Sequence, residues 1–196
     1  MNTDDAQLST KRKATARVVC LIAALFVIAP CLGLQWLRAP HDIDAGMSLL
    51  SFEACGRDFD GGERCESRSN FELAKLMRKA KQGEGTFAYA GVATLVLSVA
   101  AGLTLAAAGA LAFKDRFVRK PIALTTAALL TLCLALLTAC VFVGSKPNTL
   151  GVSWPFFMFA GGIVAGIAGA QMLSKAFSQV SDPYWDGTDH QPFDPV

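Results

Sequence analysis

Phe52-Glu53-Ala54-Cys55, then Asp60-Gly61-Gly62, then Cys65: this run lies in a polar, charge-mixed island, residues 38–85, between two apolar spans. A glycine turn between two short runs is what a β-hairpin needs, because glycine supplies the positive φ angles of tight turns, and a cysteine on each arm could bridge them. Residues 47–55 and 63–67 read as the two strands. A bridge between them requires an oxidising compartment, and so decides on which side of a membrane the loop stands. The competing reading is two unpaired thiols in a cytosolic loop.

Outward from this loop the chain is apolar in blocks. It has 196 residues, 53% hydrophobic and 17% charged, with a mean hydropathy of +0.40. The blocks are roughly 20 residues long, which is the length a helix needs to cross about 30 Å of hydrocarbon. The expected fold is therefore an all-α membrane protein, a bundle of four transmembrane helices with a small disulfide-linked β-hairpin or sheet in the first outer loop. The spans are residues 18–37, 86–113, 121–144 and 153–173. They leave a polar N-terminal segment (1–17) with no expected structure, the large loop (38–85), a short connection (114–120), a second outer loop (145–152) and an acidic, aromatic tail (174–196).

Charge placement orients the chain. Lys114, Arg116, Arg119 and Lys120 crowd the short connection, and Lys11, Arg12, Lys13 and Arg17 precede the first span. Basic loops face the cytoplasm, which puts both termini inside a plasma membrane and the cysteine loop outside. The net charge of +2 gives no reason to expect a nucleic-acid partner. A cleaved signal peptide is the rival reading of the first span, but no small-residue cleavage site follows it, and Pro30 before Cys31 argues against a lipoprotein site.

Two local features help to place the loop. Trp36 closes the first span, where an indole suits the headgroup zone. Residues 70–82 alternate at helical spacing, with Phe71, Leu73, Leu76, Met77 and Ala80 on one side and Lys75, Arg78, Lys79 and Lys81 on the other. Ser69 or Asn70 suits the N-cap of this helix. It reads as an amphipathic helix at the membrane surface or as a solvated extension of the second span.

Chemistry is sparse. The four expected spans hold no Asp, Glu, Lys, Arg or His, whereas relays, ion-coupled transport and intramembrane hydrolysis keep such groups at depth. His41 and His190 fall in loops expected on opposite sides of the membrane. Asp58, Asp60 and Glu63 fit no calcium loop and read as a charged hairpin tip. No catalytic residue, cofactor or metal is expected. Cys20, Cys31, Cys133 and Cys140 lie within spans, where a thiol packs as a small hydrophobe, with acylation of Cys20 as an alternative.

Helix-packing stripes are plain by contrast. Gly162, Gly166, Ala170 and Ser174 step by four along the fourth span, with Gly161, Ala165 and Gly169 one position behind. Ser98, Gly102 and Ala106 do the same on the second span. Small residues let backbones approach where lipid offers no hydrophobic drive, so most of this surface is expected inside the bundle, with room left for a partner helix.

Four spans with both ends inside, a large first outer loop, a very short inner connection and two loop cysteines with nine residues between them together resemble the claudin superfamily, which includes peripheral myelin protein relatives and calcium-channel gamma subunits. Leu50-Ser51-Phe52-Glu53-Ala54-Cys55 stands where that family has Gly-Leu-Trp and then a cysteine, Cys65 matches the second cysteine, and Trp36 resembles the tryptophan ending the first span. The Gly and Trp of the signature are replaced here, and the second outer loop is shorter.

The resemblance implies a non-enzymatic protein of membrane assembly or cell contact whose partners are the lipid bilayer and other membrane proteins or further copies of itself. An accessory subunit of a larger channel, transporter or enzyme complex is the alternative. Phe52 would be an apolar plug under the hairpin, whose closure by a disulfide would stabilise it by about 2 to 3 kcal/mol. The ending Phe193-Asp194-Pro195-Val196 is similar to the PDZ ligands of claudin-like proteins, with Asp194 and Val196 as the contact residues of a cytoplasmic partner. Tyr184-Trp185 offers a second contact.

Overall fold

The computed structural model describes residues 3–40, 44–57, 63–81, 85–112, 121–147 and 149–178. Five helices are present among them: α1 (Thr3–Ile28), α2 (Asn70–Lys79), α3 (Thr86–Leu111), α4 (Pro121–Gly144) and α5 (Trp154–Ser178). All but α2 are long and apolar enough to cross a membrane. In the bundle α1 packs on α3 and α5, and α4 packs on the same two helices from the opposite side. Its interior is narrow because alanine fills much of it, including Ala23, Ala24, Ala101, Ala108, Ala128, Ala135, Ala139 and Ala170.

The first span differs from its expected 18–37. α1 begins at Thr3, inside the segment read as unstructured, since elongating an existing helix adds a hydrogen bond for each residue ordered. It ends early as well: Pro30 stands in a 3-10 turn, Ala29–Cys31, and the chain then leaves the helix so that Leu37–Arg38 is a strand, β1. Proline has no N–H to continue the ladder.

The cap is a five-stranded antiparallel sheet. With β2 (Asp44–Met47), β3 (Ser51–Arg57), β4 (Glu63–Ser69) and β5 (Gly151–Val152), the order is β4-β3-β2-β1-β5. The stretch expected as one strand over 47–55 is two strands joined by a tight turn. Ser48 makes that turn: its N–H donates to the Ser51 carbonyl (2.8 Å), and its Oγ accepts from the N–H groups of Leu50 (3.3 Å) and Ser51 (3.0 Å). A hydroxyl that bonds backbone two and three residues on bends the chain, even between apolar residues.

β5 comes from the loop between α4 and α5. Leu37 pairs with Val152 and Arg38 with Gly151, and the Ser153 N–H donates to the Trp36 carbonyl (2.8 Å). The two loops on this side of the bundle thus form one sheet.

Candidate functional site

The cap is held to the bundle at its centre by Trp36. The indole is fully buried, where an interfacial position had been expected, and Nε1–H donates to the Pro30 carbonyl at 2.7 Å. Its ring meets Phe159 at 4.9 Å between centroids, with Phe156 at 6.0 Å and Phe142 at 6.2 Å. Pro30 ends the helix and leaves a carbonyl for the indole; the indole then fills the mouth between α4 and α5 under β1. One side chain therefore ties together the end of α1, two further helices and the sheet.

A second anchor lies at the Ser48 turn. Asn70, fully buried, donates through Nδ2 to the Ser48 carbonyl (3.0 Å), and its backbone N–H donates to the Leu50 carbonyl (2.9 Å). Leu49 is buried beside it, and its carbonyl rests on Gly91 of α3, leaving no space for a Cβ there. Asn70 also opens α2, whose N-cap is Ser69. The Ser69 hydroxyl accepts from the Glu72 N–H, and Glu72 accepts from the Ser69 N–H, each at 3.3 Å, which completes a capping box. At the far end Gly85 turns the chain into α3 with φ +69°, and a Cβ there would come within 2.6 Å of the Ala74 Cβ. Only glycine satisfies both the left-handed conformation and that approach.

The hairpin carries the disulfide. Cys55 and Cys65 are directly opposed in the β3–β4 register, with Cα atoms 4.0 Å apart, and are bonded. Glu53 lies close to both sulfurs, but a bridged cysteine has no thiolate to offer a metal. Phe52 pairs across to Met47 and Arg68 and packs half-buried against the core.

The stripes of small residues lie where helices meet. A Cβ on Gly162 would come within 2.9 Å of Phe26 backbone on α1. Gly166 faces Leu105 and Leu132, Gly102 faces Ile28 and Ala24, and Ala170 is buried. Ser98 is buried and donates to the Thr94 carbonyl (2.6 Å), and Ala106 packs half-buried against the core. Gly169 of the second stripe meets Cys20 and Val19, whereas a Cβ on Gly161 would meet no neighbouring element within 4 Å among the described residues. The membrane thiols divide in the same way: Cys20 and Cys31 are buried, while Cys133 and Cys140 are exposed on α4, where packing had been expected.

Sequence reasoning missed the cleft beside β5. It is open, about 740 Å³ in volume, and is lined by Arg38, Ala39, Pro40, Asp44, Ala45 and residues 149–153. A two-residue strand carries no periodicity by which to find it. Asp58, Asp60, His41, His190, Tyr184, Trp185, Asp194 and Val196 lie outside the described residues, as does the connection 114–120; Glu63 opens β4. The sequence matches no family model and no curated protein.

Proposed function

We propose that the chain is a non-enzymatic, claudin-like integral protein of the plasma membrane, with both termini in the cytoplasm, that acts in membrane-protein assembly or cell contact through its outer cap. The observation that carries this reading is the pairing of β1 with β5, which joins both loops into one sheet on top of the bundle. A sheet pinned by Cys55–Cys65 and anchored by Trp36 and Asn70 presents its outer surface with little conformational entropy left to lose, which favours recognition by another protein. The polar groups of the bundle also fit a non-enzymatic protein. Thr94, Ser98, Thr104, Thr131 and Thr138 each donate to a carbonyl of their own helix three or four residues back.

Crosslinking of the full chain in native membranes tests the reading. Self-association or capture of a partner through cap residues is the expected result; a monomer with no crosslinked partner overturns it. Maleimide accessibility after reduction tests the topology, since Cys55 and Cys65 must label from the outside.

One observation favours the alternative, an accessory subunit. The outward side of α5 carries Phe157 (64% exposed), Gly161, Val164 (68% exposed) and Met172 (50% exposed), a surface that a larger complex could cover. In that case one dominant partner co-purifies in mild detergent and Gly161→Leu releases it.

A further inference from the structure

Helix α2 leaves one face unused by the cap. Asn70, Leu73, Ala74 and Met77 turn inward, whereas Phe71, Lys75 and Arg78 recur at i, i+4 and i+7 on an exposed flank. Lys79 stands four residues from Lys75, and exposed Lys81 follows the helix in the left-handed region (φ 55°). Lys75 and Lys79 repel across one helical turn, and although Glu66 and Glu72 line the same shallow cleft beside them, cations remain in excess on this face. Glu72, the single acid of the helix, accepts from the Ser69 N–H and stands three residues before Lys75.

The depth of this face is set by an aromatic contact. The Phe71 ring packs edge-on against Tyr89, with centroids 5.2 Å apart. Tyr89 is 62% exposed and stands in the first turn of α3, about 4.5 Å along the axis from Thr86, within a helix apolar enough to span a membrane. The first turn of a helix that crosses a membrane stands near the level at which hydrocarbon gives way to headgroups. Aromatic rings favour this zone, and lysine stems reach from it to the phosphates.

We propose that α2 is an interfacial helix whose exposed lysines, Lys75, Lys79 and Lys81, bind the anionic phospholipid headgroups of the leaflet around the bundle, with Phe71 and Tyr89 as its apolar foot. The inference is independent of what the cap recognises.

Hydrogen exchange on the full chain tests it, in bilayer discs of phosphatidylcholine alone or with added phosphatidylglycerol. Amides of residues 71–81 should exchange more slowly with phosphatidylglycerol, while those of β3 should not change. Each lysine removed should weaken headgroup association about fivefold, so Lys75→Gln with Lys79→Gln abolishes the difference. Both side chains are exposed, and β3 exchange checks that the variant is folded; the single Lys75→Gln variant, with a smaller loss, serves if the pair is not. Equal exchange in the two bilayers, full slowing retained in the folded variant, or the same slowing from inorganic phosphate over phosphatidylcholine would each overturn the proposal.

Discussion

Trp36 shows what one residue does here and what its removal should cost. Trp36→Phe keeps most of the packing but leaves the buried Pro30 carbonyl without its donor, a loss of about 1–3 kcal/mol. Trp36→Ala also opens a cavity against Phe142 and Phe159 and should cost about 3–5 kcal/mol. Denaturant titration of the detergent-solubilised protein, followed by near-UV circular dichroism of the aromatic cluster, would rank wild type, Phe and Ala in that order. If the two variants were equally stable, the hydrogen bond would not matter. The sequence put Trp36 at the end of the first span, whereas the helix stops at Ile28 and the turn after it at Cys31, and no local signal says where the ring goes. An aromatic at that position can face headgroups or core, and the choice depends on Phe142, Phe156 and Phe159, more than a hundred residues away. Gly91 was illegible for the same reason, because its small size matters only where the Leu49 carbonyl lands on α3. Gly91→Ala should push the Ser48 turn off the bundle and raise protease sensitivity at residues 48–50, with α3 still helical.

Among the elements, the legible ones were those whose signal is local. The four spans follow from block length, and α2 follows from Ser69 as N-cap and the spacing of Leu73 and Met77. The β3–β4 hairpin follows from its two cysteines. β1 and β5 are two residues each, β5 held by β1 and β1 held between β5 and β2, and the break between β2 and β3 is made by a serine hydroxyl among leucines. The glycines of α5 test element packing in neighbouring positions. Gly162→Leu must displace α1 backbone at Phe26 and should cost about 1–3 kcal/mol, whereas Gly161→Leu points into open space and should leave the bundle's stability unchanged. Unfolding in mixed detergent micelles measures both. Comparable losses would mean that α1 and α5 do not meet along the face described.

In the whole molecule, cap and bundle are joined at few points, so the disulfide and the anchors should fail differently. The bridge closes a loop with a sequence separation of 10, and opening it returns about 2–3 kcal/mol of chain entropy to the unfolded hairpin. That penalty falls on β3 and β4. β4 is a sheet edge with most of its side chains exposed, and only β3 ties it to the rest of the sheet. Cys55→Ser with Cys65→Ser should therefore fray the hairpin while β1, β5 and the helices keep their protection, because Trp36 and the Leu37–Val152 pairing do not depend on it. Trp36→Ala should loosen β1, β5 and the mouth of α4 and α5 together. Hydrogen exchange read by peptide distinguishes a local from a shared opening. If the double serine variant lost protection at β5 as fast as at β4, cap and bundle would unfold as a single unit, and the sheet would owe its position to the hairpin rather than to the tryptophan beneath it.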